Sequence, residues 1–94
     1  MRDTVSGVGD SIQVGRGVVS STDDGIRFGG SYVFSARGAE RTRVEIAVWD
    51  GTSSELDLIL HEGDTFHISG QTWRLDEIHS EGGRDWYAEL TRVS

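Results

Sequence analysis

The chain has no cysteine and no proline, and all nine of its basic residues are arginine. The missing cysteine excludes disulfide scaffolds, zinc–thiolate sites, iron–sulfur clusters and thiol nucleophiles together. The missing lysine excludes Schiff-base chemistry and phosphate-loop lysines. No run approaches the roughly 18 apolar residues of a membrane-spanning helix, and the N-terminus has no apolar core of a secretory signal. A reducing cytoplasm fits such a chain, and a cytoplasmic location is the expectation. At 94 residues the length allows one small domain.

What is present is acid, glycine and alternation. The net charge of −7 is unevenly spread. Residues 1–49 hold six arginines and six acids, whereas residues 50–94 hold three arginines and ten acids, so the whole charge sits in the second half. A net anion repels nucleic acid and anionic membranes, so neither is an expected partner. An acidic surface steers toward a basic protein partner instead. The neutral first half and acidic second half are also complementary to each other, which suits twofold or head-to-tail self-association. Sheet edges without proline or lysine would gain from being paired.

Apolar residues recur with period two, and no helical period stands out. From Arg41 to Trp49, Val44, Ile46 and Val48 share one face, and Arg43, Glu45, Ala47 and Trp49 share the other. Asp50-Gly51 then reverses the chain. Glu55 to His61 places Leu56, Leu58 and Leu60 on one face and Asp57, Ile59 and His61 on the other, and pairs with the preceding strand. Gly63-Asp64 and Gly70 turn the chain around Phe66 and Ile68. Trp73 and Leu75 point inward, and Ile78 falls out of phase, which a bulge near Asp76 or Glu77 corrects. A final strand spans Asp85 to Val93 after a Glu81-Gly82-Gly83 loop. Earlier, Ile12, Val14 and Val18 share parity, and Gly15 and Gly17 mark a bend or the close approach of another strand. Asp23-Asp24-Gly25 is a turn, and Gly29-Gly30 reads as a reversal between Ile26/Phe28 and Tyr32/Phe34/Ala36. The expectation is all-β: about eight antiparallel strands in a small barrel or sandwich ending in a β-meander, with residues 1–10 as a flexible arm and 11–94 as one domain.

Gly63-Asp64-Thr65-Phe66, Gly70 with Trp73 and Leu75, and Leu90 with Arg92 and Val93 read G-D-T-F, G-x-x-W-x-L and L-x-R-V. Over residues 63–93 the chain resembles small actinobacterial domains of unknown function. That resemblance implies a β-meander and no assigned activity.

The three histidines, His61, His67 and His79, are of the type that ligates divalent metals, alone or with Asp64. They support an alternative reading as a small β-barrel enzyme or metal- or ligand-binding protein. Solvated strand histidines are the plainer explanation. No serine lies in a nucleophile elbow, and Gly7-Val8-Gly9 lacks the strand and helix that a dinucleotide loop requires. No catalytic residue and no cofactor is assigned. Aromatic and arginine residues point instead to partner binding. Trp49 with Ile59 or His61 would share a sheet face, with Trp49 as core or rim, and one of the adjacent Trp86 and Tyr87 must face outward. Arg37, Arg41 and Arg43 form the local basic cluster, able to grip an anion or a neighbouring acidic surface, or to pair with Glu55, Asp57 or Glu62. The main expectation is a non-catalytic interaction or accessory module that binds a protein, or a second copy of itself, through an acidic sheet formed by residues 50–94. A second alternative is an acidic, immunity-type inhibitor of a basic toxin.

Overall fold

The computed structural model describes residues 7–22, 24–51, 55–80 and 85–94. Among them the chain forms β1 (Ser11–Gly15), β2 (Val19–Ser21), β3 (Arg27–Phe34), β4 (Arg43–Trp49), β5 (Glu55–His61), β6 (Thr65–Ile68), β7 (Gln71–His79) and β8 (Tyr87–Arg92). The strands make two antiparallel four-stranded sheets, ordered β2-β3-β4-β5 and β1-β8-β7-β6. The sheets pack face to face as a sandwich with no closed barrel, and β6–β8 is the expected meander. No helix among the described residues is long and apolar enough to cross a membrane.

Alternation explains the core directly, because period two puts one set of side chains between the sheets. Val44, Ile46 and Val48 of β4 are fully buried, facing Val14, Trp73, Leu75, Ala88 and Leu90 of the other sheet's inner surface. Phe28 binds the two layers, its ring 4.9 Å from that of Trp73 and 6.4 Å from that of Phe66. The register of β7 on β8 shifts between Leu75 and Glu77, the expected bulge, and this returns Ile78 to the core side opposite Ala88. Ser69 and Gly70 both take positive φ (50° and 74°) in the two-residue hairpin joining β6 to β7.

Three expectations need correction. Gly29-Gly30 does not reverse the chain: β3 runs through it unbroken and pairs with β4 along its length, with a register shift between Gly30 and Tyr32. Gly30 is there for its missing side chain, since a Cβ would lie 2.5 Å from the carbonyl oxygen of Gly15, where β1 crosses over β3. Gly15 in turn lies against the Trp86 carbonyl, so the close approach read from Gly15 is real and its partner is Gly30. Residues 50–94 do not form one acidic sheet, because β5 joins the N-terminal strands while β6–β8 join β1. The β4–β5 reversal is also longer than Asp50-Gly51, because Trp49 pairs with Glu55.

Of the expected arm, residues 1–6 lie outside the described residues, as do Asp23, residues 52–54 and the Glu81-Gly82-Gly83 loop. Gly9 and Asp10 already belong to the folded body: the Gly9 N–H donates to the Arg92 carbonyl (2.7 Å), and the Arg92 N–H donates to that of Asp10 (3.0 Å).

A polar chain closes one end of the sandwich. The buried Trp73 indole N–H donates to Gln71 Oε1 (3.0 Å), and Gln71 Nε2 donates to Asp24 Oδ2 (2.6 Å). The Thr22 hydroxyl donates to the same carboxylate and accepts from the Ile26 N–H (3.1 Å). Each buried polar atom in this chain has a partner, and the chain ties the turn before β3 to β7 of the opposite sheet. The Thr22 hydroxyl, followed by backbone and Gln71 donors, holds the Asp24 carboxyl below its ordinary value against the opposing effect of desolvation. A carboxylate held low contributes stability above the unfolded pKa, and that contribution is lost as pH falls through the folded one. Melting temperature is therefore expected to fall as the pH drops below the ordinary carboxylate value of about 4. Asp24→Asn should lower it at neutral pH and flatten that acid slope. An unchanged slope in this variant would show that Asp24 does not carry the effect.

Candidate functional site

The two outer faces differ in chemistry. On the β1-β8-β7-β6 sheet the outward positions are mostly polar, apart from Tyr87. Ser11 hydrogen-bonds Thr91 (3.0 Å), and the Thr91 hydroxyl donates to Asp76 at the bulge, where Arg74 Nε also donates (2.6 Å). Burial pushes the Asp76 carboxyl up, but these donors outweigh it and its pKa is lowered. The outer face of the β2-β3-β4-β5 sheet instead sets exposed apolar and aromatic residues among arginines and three acids, Glu45, Glu55 and Asp57.

The register builds this second face in rows across the strands. Phe34, Arg43 and His61 make one row; Tyr32, Glu45 and Ile59 the next; Val19, Gly29, Ala47 and Asp57 the third; and Ser21, Arg27, Trp49 and Glu55 the last. Val19, Tyr32 and Ile59 are 65%, 64% and 56% exposed. In the third row Gly29 and Ala47 carry almost no side chain, which leaves a hollow of about 480 Å³ lined by Val19, Arg27, Gly29, Ala47, Trp49 and Glu55. One arginine–aromatic stack lines it and a second lies two rows away on the same face. The Arg27 guanidinium lies 5.0 Å from the Trp49 ring centre, and that of Arg43 lies 4.8 Å from Phe34, beside Tyr32. Such stacks hold a guanidinium flat while its N–H edge stays available to a partner.

Trp49 is half-buried under Arg27, a rim position on the outer face. Ile59 and His61 share its face, as expected. Tyr87 does not, for it lies on the other sheet, stacked on His79 (4.4 Å between ring centres, planes 16° apart), while its neighbour Trp86 is buried. Arg43 reaches the face but pairs with Glu40 (3.0 Å) and not with a cross-strand acid. Arg37 and Glu40 exchange backbone hydrogen bonds in the β3–β4 turn (2.9 Å each), and both line a hollow with Phe34 and Arg43. Arg41 sits near the β5–β6 turn, where its charge adds to the His61 N–H, the main cause, in holding the Asp64 carboxyl low.

The histidines do not converge. His61 contacts Asp64 (3.5 Å), the His67 Nδ1 and the Thr72 hydroxyl are hydrogen-bonded (2.9 Å), and His79 Nε2 lies 3.6 Å from both Glu77 and Glu89. Among the described residues no three His, Cys, Asp or Glu side chains come together as a metal site. Period two places alternate residues on a face, but it cannot say which sheet that face belongs to, and these three strands divide between the sheets.

Val19, Arg27, Tyr32 and Phe34 were not singled out in the sequence. Arg27 meets Trp49 only because the shift after Gly30 sets the β3 register, and Val19 meets Gly29 only through β2. Sequence parity could not have found Tyr32 and Phe34, since it sets them on the face of the buried Phe28 and only the shift between Gly30 and Tyr32 turns them outward.

These features define a small antiparallel β-sandwich domain with one polar and one aromatic–arginine outer face. Residues 9–94 match the family of unknown function DUF6406, and the chain belongs to that family. No curated protein and no solved structure matches it.

Proposed function

We propose that the chain is a non-catalytic protein-interaction module that docks a partner protein on the outer face of the β2-β3-β4-β5 sheet. The observation that carries this reading is the pattern of exposure: Val19, Tyr32 and Ile59 are each more than half exposed on one sheet face, which also holds two arginine–aromatic stacks and a hollow lined by Val19 and by the Arg27–Trp49 stack. Tryptophan, tyrosine and arginine are the residues on which binding energy concentrates, and exposed apolar area gathered on one face marks interaction sites. The partner is a protein segment that seats an apolar side chain over Gly29 and Ala47 and offers a carboxylate to Arg27. A cysteine-free chain suits a cytoplasmic contact. An acidic neutraliser of a basic toxin has less support, since the acids of residues 50–94 are divided between two sheets.

A photo-crosslinking side chain at Tyr32, compared with one at the exposed His67 of the polar face, tests this in the producing cell. Discrete protein adducts are expected from position 32 and not from 67. Equal labelling from both positions, or none from position 32, would refute it.

A further inference from the structure

Three of the four sheet edges are short or folded away. β2 has three residues, β6 four, and β1 five. β1 also turns at once into β2, where the Ser20 hydroxyl donates to the Gln13 carbonyl (2.6 Å). The fourth edge, β5, has seven residues in unbroken register with β4. Natural edges are blunted by shortness, bulges, proline or charged side chains, and of these β5 has only the carboxylates of Glu55 and Asp57, both on its outer face. Its apolar side chains are exposed on both faces: Ile59 on the outside, and Leu56 at 43% although it shares parity with the buried Leu60. The sandwich is therefore open along β5, and its core stays partly wet there.

We infer that β5 pairs antiparallel with β5 of a second copy of this chain, on a twofold axis through Leu58, to give a continuous eight-stranded sheet. The strand sequence is self-complementary in that register. Glu55 opposes His61, Leu56 opposes Leu60, Asp57 opposes Ile59, and Leu58 meets its own copy. An acid thus faces an imidazole at each end, and the inward leucines meet across the joint and cover the open side of both cores. A slip of one residue would set inward side chains against outward ones, and a slip of two toward the N-terminus would oppose Asp57 to Asp57. The pairing stands on the edge of the sheet and shares only Ile59 with the docking side chains named above. It would place two such faces side by side on one sheet.

The absence of native cysteine makes engineered thiols a clean probe. Under mild oxidation Leu58→Cys is expected to yield a disulfide-linked dimer, its thiols meeting at the axis. Glu55→Cys is expected to stay monomeric, because its two copies lie about 20 Å apart, six residues along the joint. Light scattering of the unmodified chain should rise toward twice 10.3 kDa at millimolar concentration. Leu56→Lys, at a position already 43% exposed, should remain at the monomer mass with unchanged circular dichroism and only a small loss in melting temperature. A monomer at every concentration, equal crosslinking at both thiol positions, or a dimer indifferent to Leu56→Lys would overturn the pairing. None of these outcomes touches the Tyr32 adducts, so the two readings fail separately.

Discussion

Gly30→Ala is expected to lower the stability of the fold by about 3 kcal/mol, while Gly29→Ala one residue earlier leaves it nearly unchanged. The two glycines are adjacent in the same strand and differ only in what lies above them. A Cβ on Gly30 would meet the oxygen, carbonyl carbon and Cα of Gly15 at 2.5, 2.6 and 2.8 Å, all backbone atoms that cannot rotate away. A Cβ on Gly29 would meet only a Val19 methyl at 3.7 Å, an ordinary contact. Relief at Gly30 requires β1 to lift from β3, and β1 is pinned from behind, because Gly15 itself rests on the Trp86 carbonyl. In a domain of this size 3 kcal/mol corresponds to a drop in melting temperature on the order of 15 °C. Thermal melts of the two variants side by side read this directly. Equal melting temperatures would mean that the strands do not cross at Gly15 and Gly30.

Trp73→Ala is expected to cost about 3–5 kcal/mol, a large share of the roughly 5–15 kcal/mol available to a small domain. Trp73 is fully buried, tilted against Phe28 of the opposite sheet, and among the largest fully buried side chains. Its removal opens a cavity between the layers. It also leaves Gln71 Oε1 without its indole donor, which unsettles the hydrogen bond from Gln71 to Asp24. Trp73→Phe weights the two effects differently, since it keeps an aromatic ring in the core while losing the N–H and part of the indole's volume. Its loss should be smaller, on the order of 1–2 kcal/mol. Urea unfolding measures both variants, and an alanine variant as stable as the phenylalanine one would contradict this account of the core.

How much of this was legible in the sequence differs from element to element. β4 to β7 could be read because alternation, turn glycines and leucine parity agree along them, and even the β7 bulge showed as the misplaced phase of Ile78. β3 was hidden because Gly29-Gly30 has the local signature of a turn. Its actual role, room for a crossing strand, depends on a residue fifteen positions earlier. For the candidate site, Trp49, Ile59 and His61 were placed on one face correctly, since β4 and β5 are neighbours in sequence. Arg27, Val19 and the hollow between them were not, since the β3–β4 register turns on a bulge and Val19 arrives only through the pairing of β2 with β3.

Local chemistry therefore settled that this chain is built of strands, which side chains turn inward, and where most reversals fall, because the pleat imposes period two on each strand whatever its neighbours are. Sheet membership came from the folded molecule. β1 pairs with β8, Ser11 against Thr91, only when the whole chain has closed on itself. The division of the acids between two sheets, the dispersal of the histidines and the open β5 edge follow from that closure. Which surfaces cover one another depends on contacts between residues far apart in sequence, and no local pattern encodes them.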